Sequence, residues 1–376
     1  MAKRALSSDT LSDTDEVEVK RERRAIFNIA ESGVRIHRVG KLPVFSMDTL
    51  QTDASARLFF VSTLREYGAV EVENVLTTQQ CKVARSLFWD YMECLGTGIN
   101  RADEGTFANQ RWPRNYTLGM VDEPETADAG QSALCWYVRG QQNIRTLYSY
   151  VYECAENELA GSLDRFGMQR TSHTHENPES KLWLHVDQNP VRRDFNSCYQ
   201  GVVNLIGTRN GDPGFVCVPH SHQKLDQWSK HMDIPSTKRD FIRLDDEILQ
   251  KVMPVGSDIM KANASAGSMI LFSSALVHCN GSVRHPAVSA VNGLSRLVVY
   301  ASMQPVTRFL NWATQVLPQR LAMVEAGLTS THWTEFCKAQ GKPVYPRPPK
   351  HVKLAKRIYT PPTLNDEQTR WLRGPY

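Results

Sequence analysis

Between Lys181 and Pro305 five short apolar or alternating runs recur, separated by turn residues. The runs are "KLWLHVDQ" (181–188), "CYQGVVNLIG" (198–207), "GFVCVPHSH" (214–222), "GSMILFSSALVH" (267–278) and "SRLVVYASMQP" (295–305). Evenly spaced short strands with turn residues between them predict a β-barrel or sandwich core. The stretches on either side have a different period. "ASARLFFVSTLREYG" spaces its apolar residues by three and four and stops at Gly68, and "AVEVENVL" alternates as a strand. "TTQQCKVARSLFWDYMECLG" opens on a Thr cap and ends at Gly96, and residues 141–159 predict a further helix. After Pro305 the helical spacing returns in "FLNWATQVLPQRLAMVEAG" and "STHWTEFCKAQG". A Pro-rich basic segment follows, with a short C-terminal helix capped near Asn365. The expected fold class is therefore a mainly β core with flanking helices (α+β), built from residues 43–376.

Residues 1–42 are expected to form a disordered tail. The first 25 mix acids, bases, serines and threonines with hardly any large apolar side chain, so they cannot offset their ordering entropy. Lys3-Arg4 and "KRERR" at 20–24 are basic clusters of the kind that can signal nuclear import, but a solvated mixed-charge tail is the plainer reading. The net charge of +4 over 376 residues is too small and too dispersed to suggest a nucleic-acid partner. No apolar run reaches the length of a membrane span. Eight cysteines stand singly, without C-x-x-C spacing, as expected of reduced thiols in an intracellular, cytoplasmic protein. The expected partner is a small-molecule substrate.

Within "WLHVDQ", residues two apart on a strand share a face, so Trp183, His185 and Asp187 project together. His185 and Asp187 are either a buried hydrogen-bonded pair or half of a metal site. The best candidate for the missing half is His278, which closes the apolar run beginning at Gly267. Two imidazoles and one carboxylate on one face of an octahedral ion leave three positions open, the facial triad of non-haem Fe(II) oxygenases. A 2-oxo acid would fill two of these and O2 the third. The far carboxylate of 2-oxoglutarate then needs a planar cation, and Arg296 opens the next apolar strand. Asn280, just after His278, is grouped with Arg296 in cosubstrate binding.

The ordered set "WLHVDQ", "YQGVVNLI", "GFVCVPHSH", "GSMILFSSALVHCNG" and "SRLVVY" resembles the phytanoyl-CoA dioxygenase-like family of Fe(II)/2-oxoglutarate oxygenases. "LREYGAVEVENVLTTQQC", "FWDYMECLGTGINR", "CWYVRG", "GSLDRFGMQR" and "STHWTEF" resemble a subgroup of it, so the likeness spans residues 55 to 374. The resemblance implies a double-stranded β-helix, a jelly-roll, cupin-like barrel. It also implies iron ligation by His185, Asp187 and His278, with Arg296 as the 2-oxoglutarate anchor. Two departures stand out. The family's Pro-Gly-Ser-His reads "PHSH" here, putting His220 at a turn-glycine position. Arg296 follows His278 by eighteen residues rather than about ten, as though "SVRHPAVSAVNG" were a loop insertion.

Rival readings exist for each residue. His220 and His222 could coordinate a metal, but their Pro-Ser turn favours hydrogen bonding within the turn. His173, His175 and Glu176 sit in a polar loop, and a loop does not fix ligand geometry unaided. His285 is the weaker rival to His278, and Arg284 to Arg296; Cys279 reads as packing, and the basic run 342–357 as a solvated surface arm. The resemblance implies hydroxylation of a C–H bond with release of succinate and CO2, and Asp187 disfavours halogenation, because halogenating members leave the carboxylate position vacant. The alternatives are a zinc hydrolase using a metal-activated water, a non-catalytic β-barrel binding module, and a nucleic-acid demethylase. The substrate itself cannot be read from these residues.

Overall fold

The computed structural model describes residues 42–107, 112, 121, 128–170, 182–191, 198–209, 212–225, 227, 230, 234, 240–244, 259–281, 291–335 and 359–376, together with the backbone of 27–28 and 35–36. The expected disordered tail, residues 1–42, lies outside them except for Leu42, which is buried between the sheets, and for β1 (Phe27–Asn28), which pairs antiparallel with β2 (Arg35–Ile36). The His173–Glu176 loop, Arg284, His285 and the basic run 342–357 also lie outside. No helix among the described residues is long and apolar enough to cross a membrane.

The N-terminal elements form where their end signals stand. After β3 (Val44–Ser46) comes α1 (Met47–Thr52), and Asp53 then caps α2 (Ala54–Tyr67) by accepting from the Ser55 and Ala56 amides. Gly68 ends α2 at φ 87°, a left-handed position where glycine carries no steric penalty. β4 (Ala69–Glu73) leads to α3 (Thr78–Cys94), whose Thr77 and Gln80 make a reciprocal capping box. α4 (Ala133–Arg139) and α5 (Gln142–Tyr152) follow. The helix expected over 141–159 is shorter than its pattern: Glu153 turns left-handed at φ 52°, and the chain enters β5 (Leu159–Gly161).

The β core consists of two sheets. One has six strands in the order β3, β4, β12 (Met269–Ser273), β8 (Tyr199–Asn204), β14 (Leu294–Tyr300) and β6 (Phe166–Arg170). The other has five: β10 (Ile242–Arg243), β7 (His185–Val186), β13 (His278–Asn280), β9 (Phe215–Cys217) and β11 (Met260–Lys261). All pairs are antiparallel except β3 with β4. Among the described residues no ladder joins the two sheets edge to edge. They pack face to face: Val202, Ile270, Phe272 and Val298 of the larger sheet share one buried cluster with Phe215, Cys217 and Met260 of the smaller. The opposite face of the larger sheet, including Val203, Leu271, Leu297 and Val299, packs into a core with the helices.

The run 267–278 is not one strand, as its hydrophobicity suggested. β12 ends at Ser273, where the Leu276 amide bonds back to the Ser273 carbonyl and the Ala275 amide to the Ser273 hydroxyl. Through this turn the chain leaves the larger sheet and enters the smaller as β13. The carbonyl and hydroxyl of Ser273 supply the local acceptors that make the turn.

β15 (Met303–Pro305) pairs with β5, and the chain ends in α6 (Leu317–Glu325) and α7 (Asp366–Arg373). Asn365 and Gln368 form the capping box of α7. The Trp371 ring of α7 lies where a Cβ on Gly161 would sit, so the C-terminal helix is seated directly on β5.

Candidate metal centre

β13 and β7 pair antiparallel with His278 opposite His185, and this register brings the two rings to a centroid distance of 4.3 Å. Asp187 follows β7 by one residue, held by its amide donating to the Ser274 carbonyl at 2.9 Å. That bond links it to the turn in which the chain changes sheets. The Asp187 carboxylate reaches both rings: Oδ1 lies 3.6 Å from His185 Nε2, and Oδ2 3.4 Å from His278 Nε2. One ligand-capable atom from each of the three residues falls within 4.8 Å of the others, the grouping a single ion requires.

The ring orientations are set locally. His185 Nδ1 lies 3.0 Å from the Trp183 carbonyl, and His278 Nδ1 2.9 Å from that of Leu276. A carbonyl only accepts, so each Nδ1 carries the proton and each Nε2 presents its lone pair to the centre. Trp183 stacks on His185 at 4.5 Å, and the half-exposed Phe241 ring lies tilted against the same imidazole at 4.8 Å. Phe272 and Phe215 flank His278 from the shared apolar layer.

The electrostatics suit a cation. Burial pushes the His185 pKa down to about 4, and the neighbouring His278 adds to this against the pull of Asp187, so the ring is neutral at physiological pH. Burial acts to raise the Asp187 pKa, but the two imidazoles outweigh it and hold the carboxyl well below the usual carboxylate range. Gln200, inward-facing on β8, donates to Asp187 Oδ2 at 2.9 Å and fixes the carboxylate from the opposite sheet. Gln200, Val202 and Asn204 share one face of β8, and nothing in the sequence signals that this face meets Asp187.

Arg296 lies on β14 and is almost fully buried, with 1% of its surface exposed. Its Nη1 donates to Asn280 Oδ1 at 2.8 Å, and Asn280 donates in turn towards the Tyr300 hydroxyl at 3.3 Å. Asn280 shares a strand face with His278, so it connects the guanidinium to the histidine strand. Nε and Nη2 of Arg296 have no hydrogen-bond partner among the described residues. Burial lowers the Arg296 pKa, and Tyr300 opposes part of that shift. Cys279, on the other face of β13, packs with Val216, Val277 and Leu184, and burial pushes its thiol up to about 12.

His220 and His222 lie apart from this cluster, at the end of α2. His220 sits at φ 62°, the left-handed geometry for which a turn glycine is suited, and its Nδ1 bonds the Glu66 carbonyl at 2.9 Å. His222 Nε2 bonds the Arg65 carbonyl at 2.8 Å. Sequence reasoning did not single out His332, which lies within electrostatic reach of Asp187 and His278.

No family model matches the chain, and no curated protein does. Among solved structures, it is similar to AviO1 from Streptomyces viridochromogenes Tue57, at 12% identity and TM-score 0.42, over 66% of this chain and 95% of that one. It is also similar to the epimerase SnoN in complex with Fe3+, alpha ketoglutarate and nogalamycin RO, at 14% identity and TM-score 0.42, over 68% and 86%. GlcNAc Inducible Gene 2 from Candida albicans gives 15% identity and TM-score 0.46 over 83% and 75%. At such identities and scores, the site has to be judged by its own residues.

Proposed function

We propose that this protein is an Fe(II)/2-oxoglutarate-dependent dioxygenase of the phytanoyl-CoA dioxygenase-like kind, hydroxylating a C–H bond of a small organic or lipid-like substrate. The observation that carries this reading is the pairing of a His-Asp-His cluster with a buried guanidinium on the facing sheet, two of whose nitrogens have no hydrogen-bond partner among the described residues. A buried arginine left part-satisfied is costly unless an anion completes it. A metal hydrolase using zinc would account for the cluster but not for Arg296. Two packed antiparallel sheets with the cluster on an inner face also suit a jelly-roll arrangement.

The donor set fits Fe(II): two neutral imidazole nitrogens and one ionised carboxylate, with positions left for other ligands. His185, Asp187 and His278 would hold the ion, and Arg296 the far carboxylate of 2-oxoglutarate. Bound there, iron with 2-oxoglutarate and O2 supplies oxidative decarboxylation coupled to C–H hydroxylation, giving succinate and CO2. The protein's own part is orientation. Gln200 fixes the angle of the Asp187 carboxylate, and the Trp183 and Leu276 carbonyls fix the ring tautomers. Asn280 holds one arm of the Arg296 fork, leaving the other edge for a planar carboxylate. Phe215, Phe272 and Val298 exclude water from the space between the sheets.

The test is succinate release from 2-oxoglutarate by the purified protein with Fe(II) and O2, screened against pools of small molecules for stimulation. Stimulated release that disappears on omitting Fe(II) is expected. Absence of 2-oxoglutarate consumption with every pool, in protein shown to bind the metal, would overturn the oxygenase reading.

A further inference from the structure

Residues 328–334 form a segment held by hydrogen bonds along its length. The Leu328 carbonyl accepts from Gln131 at 2.7 Å, and the Thr329 hydroxyl from the Gly130 amide at 2.8 Å. The Ser330 amide donates to the Leu163 carbonyl at 2.8 Å, and its own carbonyl accepts from Arg165 at 3.1 Å. At the far end, the Thr334 carbonyl accepts from Arg320 at 2.7 Å, and the Thr334 amide donates to Gln304 at 3.1 Å. Arg320 also bonds the Gly161 carbonyl, so the same guanidinium ties the segment to β5.

His332 lies within this clamp, between the bonds at Ser330 and those at Thr334. It is about nine-tenths buried, 9% exposed, and its ring packs on Trp333 at 4.9 Å. Its Nε2 is buried and has no hydrogen-bond partner among the described residues. The bonds on either side of His332 hold the backbone from which the ring projects. A buried nitrogen left unsatisfied costs free energy, and where it borders a ligand site its partner is a ligand atom. The imidazole is not part of the three-residue cluster, yet it lies within electrostatic reach of all three members. Burial lowers its pKa, with Asp187, Asp164 and Asp240 opposing, which favours the neutral ring over the cation.

We propose that His332 donates a hydrogen bond from Nε2 to an anionic or oxygen atom of a ligand bound at the open side of the metal. This rests on the metal reading above. It assigns to the C-terminal segment a ligand-binding role that the triad and Arg296 do not perform.

The test uses the Co(II)-loaded full chain, with azide as the probe, titrated by visible absorption; Co(II) affinity is measured separately by equilibrium dialysis. His332→Leu should weaken azide binding about tenfold, the size of one hydrogen bond to a charged group, while Co(II) affinity stays within about threefold. His332→Gln, which keeps a donor, should recover most of the azide affinity. Unchanged azide affinity in His332→Leu would overturn the inference and leave the metal reading standing. A fall in Co(II) affinity of more than about tenfold would also overturn it, by making His332 a ligand. If wild-type protein fails to bind Co(II), or binds it equally well after Asp187→Ala, the metal reading itself fails. Should His332→Leu not fold, His332→Asn, whose shorter amide falls short of the same point, must show the azide loss instead.

Discussion

His185 and His278 face each other across paired strands with Asp187 between their Nε2 atoms, whereas His220 and His222 turn their ring nitrogens onto the last carbonyls of α2. Both sets look alike in the sequence, since H-x-D and H-x-H each put two ligand-capable side chains two residues apart. What separates them is which atoms the backbone claims. In the first set, a carbonyl two residues back takes Nδ1 and leaves Nε2 for the centre. In the second, the helix end needs donors for its orphan carbonyls and takes Nε2 of His222 and Nδ1 of His220. A histidine is therefore available for chemistry when local backbone satisfies one nitrogen and a second strand, not a helix end, faces the other.

The largest expected effect separates the two sets outright. Asp187→Ala should abolish metal binding and turnover while the protein remains folded, because it removes a ligand and not a core side chain. His220→Ala should leave both intact. Metal retained by Asp187→Ala, as read by equilibrium dialysis, would place the centre elsewhere. Next in size is Gln200→Leu, which keeps the volume but removes the donor to Asp187 Oδ2. Loss of such an orienting bond typically costs about 10- to 100-fold in metal affinity. An affinity within twofold of wild type would mean that the carboxylate is oriented without Gln200.

Acidification should also tell the sets apart. With its pKa pushed down to about 4, folded His185 refuses a proton that the unfolded chain accepts near 6.5. Between those values the unfolded state binds more protons, so the metal-free protein loses stability as pH falls through this window. By pH 5 the loss from His185 alone is about 2 kcal/mol. Denaturant melts of wild type and His185→Gln at pH 7 and 5 measure it. Equal pH sensitivity in the two proteins would show that His185 is not held neutral in the fold.

Arg296→Lys keeps the charge but loses the fork, and should raise the 2-oxoglutarate requirement more than tenfold, a cost of about 1.4 kcal/mol or more. Arg284→Lys, in the segment outside the described residues, should change it little. The reverse outcome would move the cosubstrate site to Arg284.

Much of this arrangement was legible because local signals carried it. Gly68, Thr77 and Asn365 marked helix ends by cap chemistry that acts within one turn. His185 and Asp187 were legible as a pair because the strand period puts them on one face. The change of sheet at Ser273 was not, since an apolar run looks the same whether it continues in one sheet or turns into another. Gln200 and His332 were missed for a different reason. Each reaches the centre only through tertiary packing, Gln200 from the facing sheet and His332 from a segment clamped by Arg165 and Arg320. No spacing within the chain encodes such a meeting.

The smallest effects belong to the helix-end set, and they fall on stability rather than on the metal. His222 is buried, and its ring lies against the α-carbon of Gly68, where a Cβ would come within 2.5 Å of its Nδ1. His222→Ala removes the donor to the Arg65 carbonyl and should cost about 1 kcal/mol or somewhat more. His220 is exposed and holds the left-handed backbone at φ 62°. Replacing it by glycine loses the bond to the Glu66 carbonyl but relieves the conformational cost, so His220→Gly should change stability by less than about 1 kcal/mol. Its amide, which bonds the Tyr67 carbonyl, survives the substitution. Denaturant midpoints for the two variants, read beside their metal affinities, sharpen the contrast. A His222→Ala protein with wild-type stability and impaired metal binding would mean that the helix-end histidines serve the centre after all.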